Sequence, residues 1–277
     1  MGKIIQEKNV GLALLCDNAP YTLAMSLSSY ERSGLYNCVD ASCVVYPDGA
    51  DKVAQVAAER GLPSVSSALD AGFIGELYKA IASLDTDYIL LVEDDCLVWE
   101  HLKGEELERE FRLALELLVS GQADMVRLRH AWRGNKRKKS AYTYSYYHSV
   151  QQLSSRWVHP EALSDAPDWI KTIRRKLHPC RAKRSIGRSV YVEENPHEIF
   201  PEYIRKIEEG YIIDSAVFQW TNQPTLIARD TLRKILLSLR ATNKSIGPLS
   251  EDFEYAVNNV KWRSAHMNIG VVRGIFT

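Results

Sequence analysis

The chain has 277 residues, 45% of them hydrophobic, and its 35 basic residues balance 35 acidic ones. That size supports a packed core in one large domain, and the zero net charge argues against a dedicated nucleic-acid binder. Cys16, Cys38, Cys43, Cys96 and Cys180 are odd in number and form no Cys-x-x-Cys pair, which suits reduced core thiols rather than a disulfide framework. The first apolar run, from Val10 to Cys16, is too short to cross a membrane and ends in Asp17 rather than a cleavage site. Position 6 lacks the Ser or Thr that a myristoylated Gly2 requires. The expectation is a soluble cytoplasmic protein, with association at the inner face of a membrane left open.

Taken in order, "VGLALLCDN" (10–18) reads as a buried strand ending in polar residues, and "ASCVVYPDG" (41–49) as a second. Each delivers an acid, Asp17 or Asp48, to its carboxyl end. Between them, residues 21–34 carry Leu23, Met25 and Leu27 and close on Gly34, which fits a helix. Helical spacing recurs over 50–61, stopping at Gly61, and over 73–84 through Ile74, Leu77, Tyr78, Ile81 and Leu84. A strand follows over 88–92. This alternation predicts an α/β fold built on a mostly parallel sheet. No glycine-rich dinucleotide or Walker loop is present, so a phosphate-bearing ligand needs another counter-charge.

Downstream, 104–121 reads as an amphipathic helix and 123–130 as a strand. Residues 133–210 then look like an irregular insertion outside the sheet. Residues 133–149 mix five cations with Tyr142, Tyr144, Tyr146 and Tyr147; Lys171 to Arg188 holds eight Lys or Arg and no acid; Glu193 to Glu209 holds six glutamates. Such runs are most often solvated surface. Helical patterns return at 229–240 and 250–258, where Ser250 is placed to cap and Glu251 and Asp252 fall in the first turn.

The sharpest feature is "YILLVEDD" (88–95), in which a buried strand runs into Glu93, Asp94 and Asp95. Extended geometry would put Glu93 and Asp95 on one face and Asp94 on the other. Two anions about 4 Å apart repel by about 1 kcal/mol in water and about 4 kcal/mol at an effective dielectric near 20. A hard divalent cation turns that repulsion into a site, although an acidic triplet is equally a solvated strand end. The seven histidines form no His-Glu-x-x-His pattern. Trp99, Trp132, Trp157, Trp169, Trp220 and Trp262 are read mainly as core, with sugar stacking as the functional alternative.

The ordered series "DNAPYTLAMSLSSY", "VVYPDG", "AAERGLPSV", "DAGFIGELYKAI" and "YILLVEDD", with "SEDFEYAVN" and the closing "GVVRGIFT", resembles nucleotide-sugar glycosyltransferases of the GT-A fold, most closely the inverting family two. The resemblance implies one GT-A domain, with a nucleotide-sugar-binding half over 10–130 and an acceptor half over 131–277. It implies transfer of a sugar from a nucleoside diphosphate sugar to an acceptor hydroxyl, with inversion, in glycan or polysaccharide biosynthesis. By the same resemblance, Asp17, Asn18 and Asp48 face the nucleoside, Gly72 and Gly75 let backbone approach it, and Glu93 and Asp94 lie toward the ribose. Asp95, with Glu93, holds Mn²⁺ or Mg²⁺, and Asp252 or Glu251 is the general base, Asp252 slightly favoured. The acceptor it implies is a glycan or lipid-linked glycan, with peripheral membrane contact and no nucleic acid. In the family the closing small-aromatic-Thr segment is commonly followed by a metal-binding histidine, so a site completed beyond Thr277 is expected, with His266 as a substitute. "QLSSRW" (152–157) departs from the Gln-x-x-Arg-Trp motif of processive synthases, which favours single addition. Two other readings stay open: a sugar nucleotidyltransferase, and a nucleic-acid module using 133–188, where cations and tyrosines interleave.

Overall fold

The computed structural model describes residues 9–129, 145–149, 165–191, 193, 195–241, 246–247, 249–259, 266–272 and 274–277. One sheet organises them. Its strands are β1 (Val10–Leu15), β2 (Ala41–Pro47), β3 (Ser64–Ser67), β4 (Tyr88–Glu93), β5 (Met125–Arg127), β6 (Ile204–Ile207), β7 (Gly210–Asp214), β8 (Thr225–Ala228) and β9 (Asn268–Val272), in the order β3-β2-β1-β4-β8-β5-β9-β7-β6. The neighbours β3, β2, β1 and β4 are parallel. β8 runs against both β4 and β5, and β9 is parallel to β5. The carboxyl ends of β1, β2, β4, β5 and β9 therefore share one edge, where ligands of open α/β sheets bind.

The α/β expectation holds, and the reasons are local. β1 is apolar throughout and all six of its residues are buried, as a strand covered on both faces must be. Helices α1 (Pro20–Ser33), α2 (Asp51–Glu59) and α4 (Glu105–Val119) cover one face through residues such as Leu23, Val53 and Phe111. Helices α3 (Gly72–Ser83), α8 (Arg229–Arg240) and α9 (Ser250–Asn259) cover the other through Leu77, Leu236 and Phe253. Between α4 and α8 lie α5 (Asp168–Leu177), α6 (Pro179–Ile186) and the single turn α7 (Pro196–Ile199). Pro20 starts α1, where its missing N–H costs nothing, and Gly34 ends it at φ 81°. Truncating Leu12 or Leu14, both fully buried, to Ala would cost about 2–5 kcal/mol.

Three expectations change. Residues 64–67 are a strand, although "SVSS" is too short and polar to signal one. The segment 133–210 is not all outside the sheet, because Ile204–Ile207 pairs with β7 as the far edge strand. Ser250 does not cap α9: its Oγ lies 3.4 Å from Glu251, and the cap comes from Asp252. Residues 130–144 and 150–164, with Trp132, Tyr142, Tyr144 and Trp157, lie outside the described residues, as do Trp262 and the "QLSSRW" segment.

Candidate active site

The acidic segment is held by the polar side of α1. Thr22 Oγ1 donates to Asp94 Oδ2 at 2.8 Å, and Ser26 Oγ donates to the Asp94 carbonyl. One turn further, Ser29 Oγ accepts from the Val98 N–H at 2.8 Å, and Tyr30 Oη donates to the Cys96 carbonyl at 2.7 Å. Residues 22, 26, 29 and 30 share one face of a helix by their spacing. Because Asp94 and Asp95 form a turn rather than more strand, the simple alternation of the three acids stops at Glu93. Asp94 points to α1, with Cys16 Sγ 3.4 Å from its Oδ2, whereas Asp95 is exposed, with Cys96 Sγ 3.5 Å from its Oδ1.

Glu93 lies on the other face of the sheet, in a narrow cleft with Phe73, Trp220, Asn222 and Thr225. Burial pushes its carboxyl up from 4.5 to about 7, and Asp95, Glu254, Asp94 and Glu251 reinforce the shift in that order. Burial also raises Asp94, against the opposing hydrogen bonds from Thr22 and Cys16. So α9 brings acids to the end of β4, and these are Glu251 and Glu254, one turn apart. Asp252 turns away: its Oδ2 accepts from the Leu249 N–H at 3.3 Å and packs against Gly247, where a Cβ would collide with it.

Glu254 was not singled out in the sequence. Its Oε1 accepts from the Asn222 N–H, while Asn258 bonds Trp220 in both directions, so α9 holds the 220–222 loop beside Glu93. Burial raises Glu254; the Asn222 bond and the charge of Arg127 lower it. Arg127 ends β5, buried, with Nη2 donating to the Gln219 carbonyl at 2.7 Å and its guanidinium 4.4 Å from the Phe218 ring centroid. Its cation offsets part of the negative charge at Glu254. A charged residue closing a short apolar strand was the available signal for it.

Asp17 and Asn18 lie exposed just beyond β1, and Asp48 is exposed in the turn after β2, its N–H donating to the Ser67 carbonyl at 2.8 Å. Gly72 opens α3 at φ 55°, a backbone conformation that suits glycine. Gly75 stands differently: a Cβ there would meet Ala71 and lie 2.9 Å from Ser67 Oγ, so its smallness serves the packing of α3 against β3. One residue on, Glu76 is pushed by burial from 4.5 to about 7, with the charge of Asp17 adding to the shift. This second half-buried acid beside the end of β1 was also missed.

Among the described residues no three His, Cys, Asp or Glu side chains are grouped to hold an ion by themselves. Glu93 and Asp95 nonetheless fit a hard divalent cation that brings water and phosphate oxygens for its remaining positions, since the negative charge gathered around Glu93 adds to the upward push on its carboxyl. His266 cannot join them. It precedes β9, at the opposite edge of the sheet, with Nδ1 2.7 Å from Asp214 Oδ2. The segment Ile275–Thr277 does come close: Phe276 bridges to Val98, and the Thr277 N–H donates to the Leu97 carbonyl at 2.8 Å, two residues past Asp95. Of the described tryptophans, Trp220 is core, Trp99 borders a cleft of about 490 Å³ with Tyr211, and Trp169 is 65% exposed, against the expectation of burial.

No family model and no curated protein matches the chain. Solved structures do. Glucosyl-3-phosphoglycerate synthase from Mycobacterium tuberculosis, in complex with Mn²⁺, uridine diphosphate and phosphoglyceric acid, aligns over 98% of this chain and 71% of its own at TM-score 0.50 and 13% identity. The same enzyme with phosphoglyceric acid aligns over 100% and 76% at TM-score 0.46 and 13% identity. Mannosyl-3-phosphoglycerate synthase from Rubrobacter xylanophilus aligns over 54% and 52% at TM-score 0.36 and 17% identity, and these last two are too distant to argue from. The first likeness is one of architecture, and with it the chain has the fold of the GT-A glycosyltransferases.

Proposed function

We propose that the chain is an inverting glycosyltransferase that moves a sugar from a nucleoside diphosphate sugar to a hydroxyl of a glycan or lipid-linked glycan. The observation that carries this reading is the meeting of Glu93 and Asp95, at the carboxyl end of β4, with the acids of α9, on a fold shared with a sugar transferase that binds Mn²⁺ and uridine diphosphate. A nucleotidyltransferase is less well supported, because the first strand is followed by "CDNAPYTLAMS", which has no glycine-rich loop to take the phosphates.

Asp17, Asn18 and Asp48 receive the nucleoside as hydrogen-bond partners, and the amino end of α3 at Gly72 approaches it through backbone. Asp94, fixed by Thr22 and Cys16, holds the acidic turn in place rather than reaching outward. Asp95 and Glu93 would hold Mn²⁺ or Mg²⁺, which when bound supplies Lewis-acid stabilisation of charge on the diphosphate. The acceptor hydroxyl loses its proton to a carboxylate of α9 as its oxygen attacks the anomeric carbon, and the bond to the diphosphate breaks on the opposite side. Glu251 takes that proton, because it is exposed and its charge reaches Glu93, whereas Asp252 is directed at Leu249. Glu254 fixes the Asn222 loop that borders the reacting centre.

The test is a panel of nucleoside diphosphate sugars with Mn²⁺ and a mixed glycan acceptor pool, read by nucleoside diphosphate release and by the anomeric configuration of the product. One donor should turn over with inversion, and Glu251→Gln should retain donor binding. Retention at the anomeric carbon would remove the base from the mechanism, and silence across every donor would remove the reading.

A further inference from the structure

Helix α5 is amphipathic in the wrong direction for a helix facing water. Trp169, Ile173 and Leu177, spaced four residues apart and so on one face, are 65%, 45% and 69% exposed. Lys171, on the opposite side of the same helix, is fully buried, and its Nζ has no hydrogen-bond partner. A helix at a water-facing surface does the reverse. Around the apolar stripe the charge is mostly positive: Lys176, Arg181 and Lys183 are exposed, while Asp165 and Asp168 are exposed acids at its amino end, and no other acid lies between 168 and 188. Arg174 is held near the stripe by stacking over Tyr146, 3.8 Å from the ring centroid.

We infer that α5 and α6 are a membrane-docking surface, with Trp169, Ile173 and Leu177 inserted among the headgroups of an anionic bilayer and the cations of both helices on its phosphates. The two features together select this occupant. An apolar face rimmed by cations suits an interfacial helix, and tryptophan is enriched at that depth. A nucleic acid would engage the cations and leave the stripe in water. A second copy of this chain would bring the same cations against themselves. The docking also has a place in the architecture. Gly187–Tyr191 continues from α6, and Tyr191 Oη lies 3.3 Å from Arg127 Nη1 beside the candidate site. A bilayer under α5 would thus stand near the acceptor half of the molecule.

The experiment is co-sedimentation of the full chain with vesicles of phosphatidylcholine alone and of equal parts phosphatidylcholine and phosphatidylglycerol. Binding to the anionic vesicles is expected, weakening with salt. Trp169→Ser, Ile173→Ser and Leu177→Ser together should lower it at least about tenfold. Lys176→Gln, Arg181→Gln and Lys183→Gln together should lower it about a hundredfold, at about fivefold per cation. Thermal unfolding of each variant checks that it is folded. As a second reading, tryptophan quenching by brominated lipid should fall in Trp169→Phe while that variant still binds. The inference is overturned if the wild-type chain ignores anionic vesicles, if the serine variant binds as well as wild type, or if the stripe proves to hold a dimer that those serines dissociate without lipid. None of these outcomes bears on nucleotide binding, so the sugar-transfer reading stands or falls separately.

Discussion

Asp252 Oδ2 lies 3.3 Å from the backbone nitrogen of Leu249, closing the amino end of α9. An acid three residues into a helix that reaches back to the capping amide is half of a capping box, and it satisfies a donor the helix leaves open. Its neighbour Glu251 has no such task. Glu251→Gln should therefore lower turnover by about 10²- to 10⁴-fold with donor affinity unchanged. Asp252→Ala should chiefly cost stability, about 0.5–2 kcal/mol. Steady-state kinetics beside urea unfolding separates the two. A dead Asp252→Asn enzyme beside an active Glu251→Gln enzyme would exchange the roles.

The clamp from α1 makes a second prediction. Thr22→Val and Ser26→Ala each remove a hydrogen bond to Asp94 and leave its oxygen half-buried and underpartnered. Each should cost about 1–3 kcal/mol. The acidic turn should loosen as well, so Mn²⁺-dependent nucleotide affinity should fall more than nucleotide affinity without metal. Equal losses in both would show that the clamp serves folding alone.

Glu76 predicts a pH dependence. Its carboxyl sits at about 7 in the folded chain against 4.5 when free, first through burial and then through Asp17. Between those values the folded chain holds a proton that the unfolded chain has released. Its stabilising contribution is full below 4.5 and is lost as pH rises through about 7. His148 works oppositely, because burial lowers it from 6.5 to about 4 and stability from that group falls with acidification. The wild-type profile mixes these with Glu93, which burial also pushes to about 7, so the useful quantity is the difference between wild type and Glu76→Gln. Urea midpoints should show the variant gaining on wild type from about pH 5 to about pH 8. A difference that does not vary with pH would return Glu76 to ordinary solvent exposure.

Much of the amino-terminal half was legible because each buried strand is an unbroken apolar run followed by an acid, and each helix stops at a glycine or at its last apolar position. β3 was not, since "SVSS" is a strand only because β2 offers it an edge. β6 was hidden for a related reason: an edge strand carrying exposed Arg205 and Lys206 looks like solvated surface. The acids at the end of β4 were visible in the sequence, but their surroundings were not. The hydroxyls of α1 that hold them are small residues in a helix, Glu254 reaches Glu93 only because α9 packs over the end of β4, and Arg127 comes near Glu254 only through the pairing of β4 and β5 with β8. Gly75 illustrates the limit from the other side. A glycine beside a proposed nucleotide site invites a ligand role, and here Ala71 and Ser67 fill the space a Cβ would need.

The chain end offers a constructive test. Thr277 is anchored to Leu97, two residues beyond Asp95. A histidine added after Thr277 would start from that anchored position, and a neutral imidazole there would add one metal ligand to the carboxylates. Mn²⁺ titrated in the presence of nucleoside diphosphate should bind more tightly to the extended chain, while His266→Ala should change nothing. Equal affinities with and without the added residue would place the segment out of reach of the ion.

The most direct measurement is calorimetric titration of UDP, GDP, CDP and dTDP into the wild-type chain and Asp95→Ala, each with Mn²⁺ and with chelator. The carboxyl edge of β1, β2 and β4 predicts that one diphosphate binds wild type, that Mn²⁺ tightens it, and that Asp95→Ala loses the tightening but keeps the weaker metal-free binding. Mn²⁺-dependent binding that survives intact in Asp95→Ala, or no diphosphate binding at all, would contradict it.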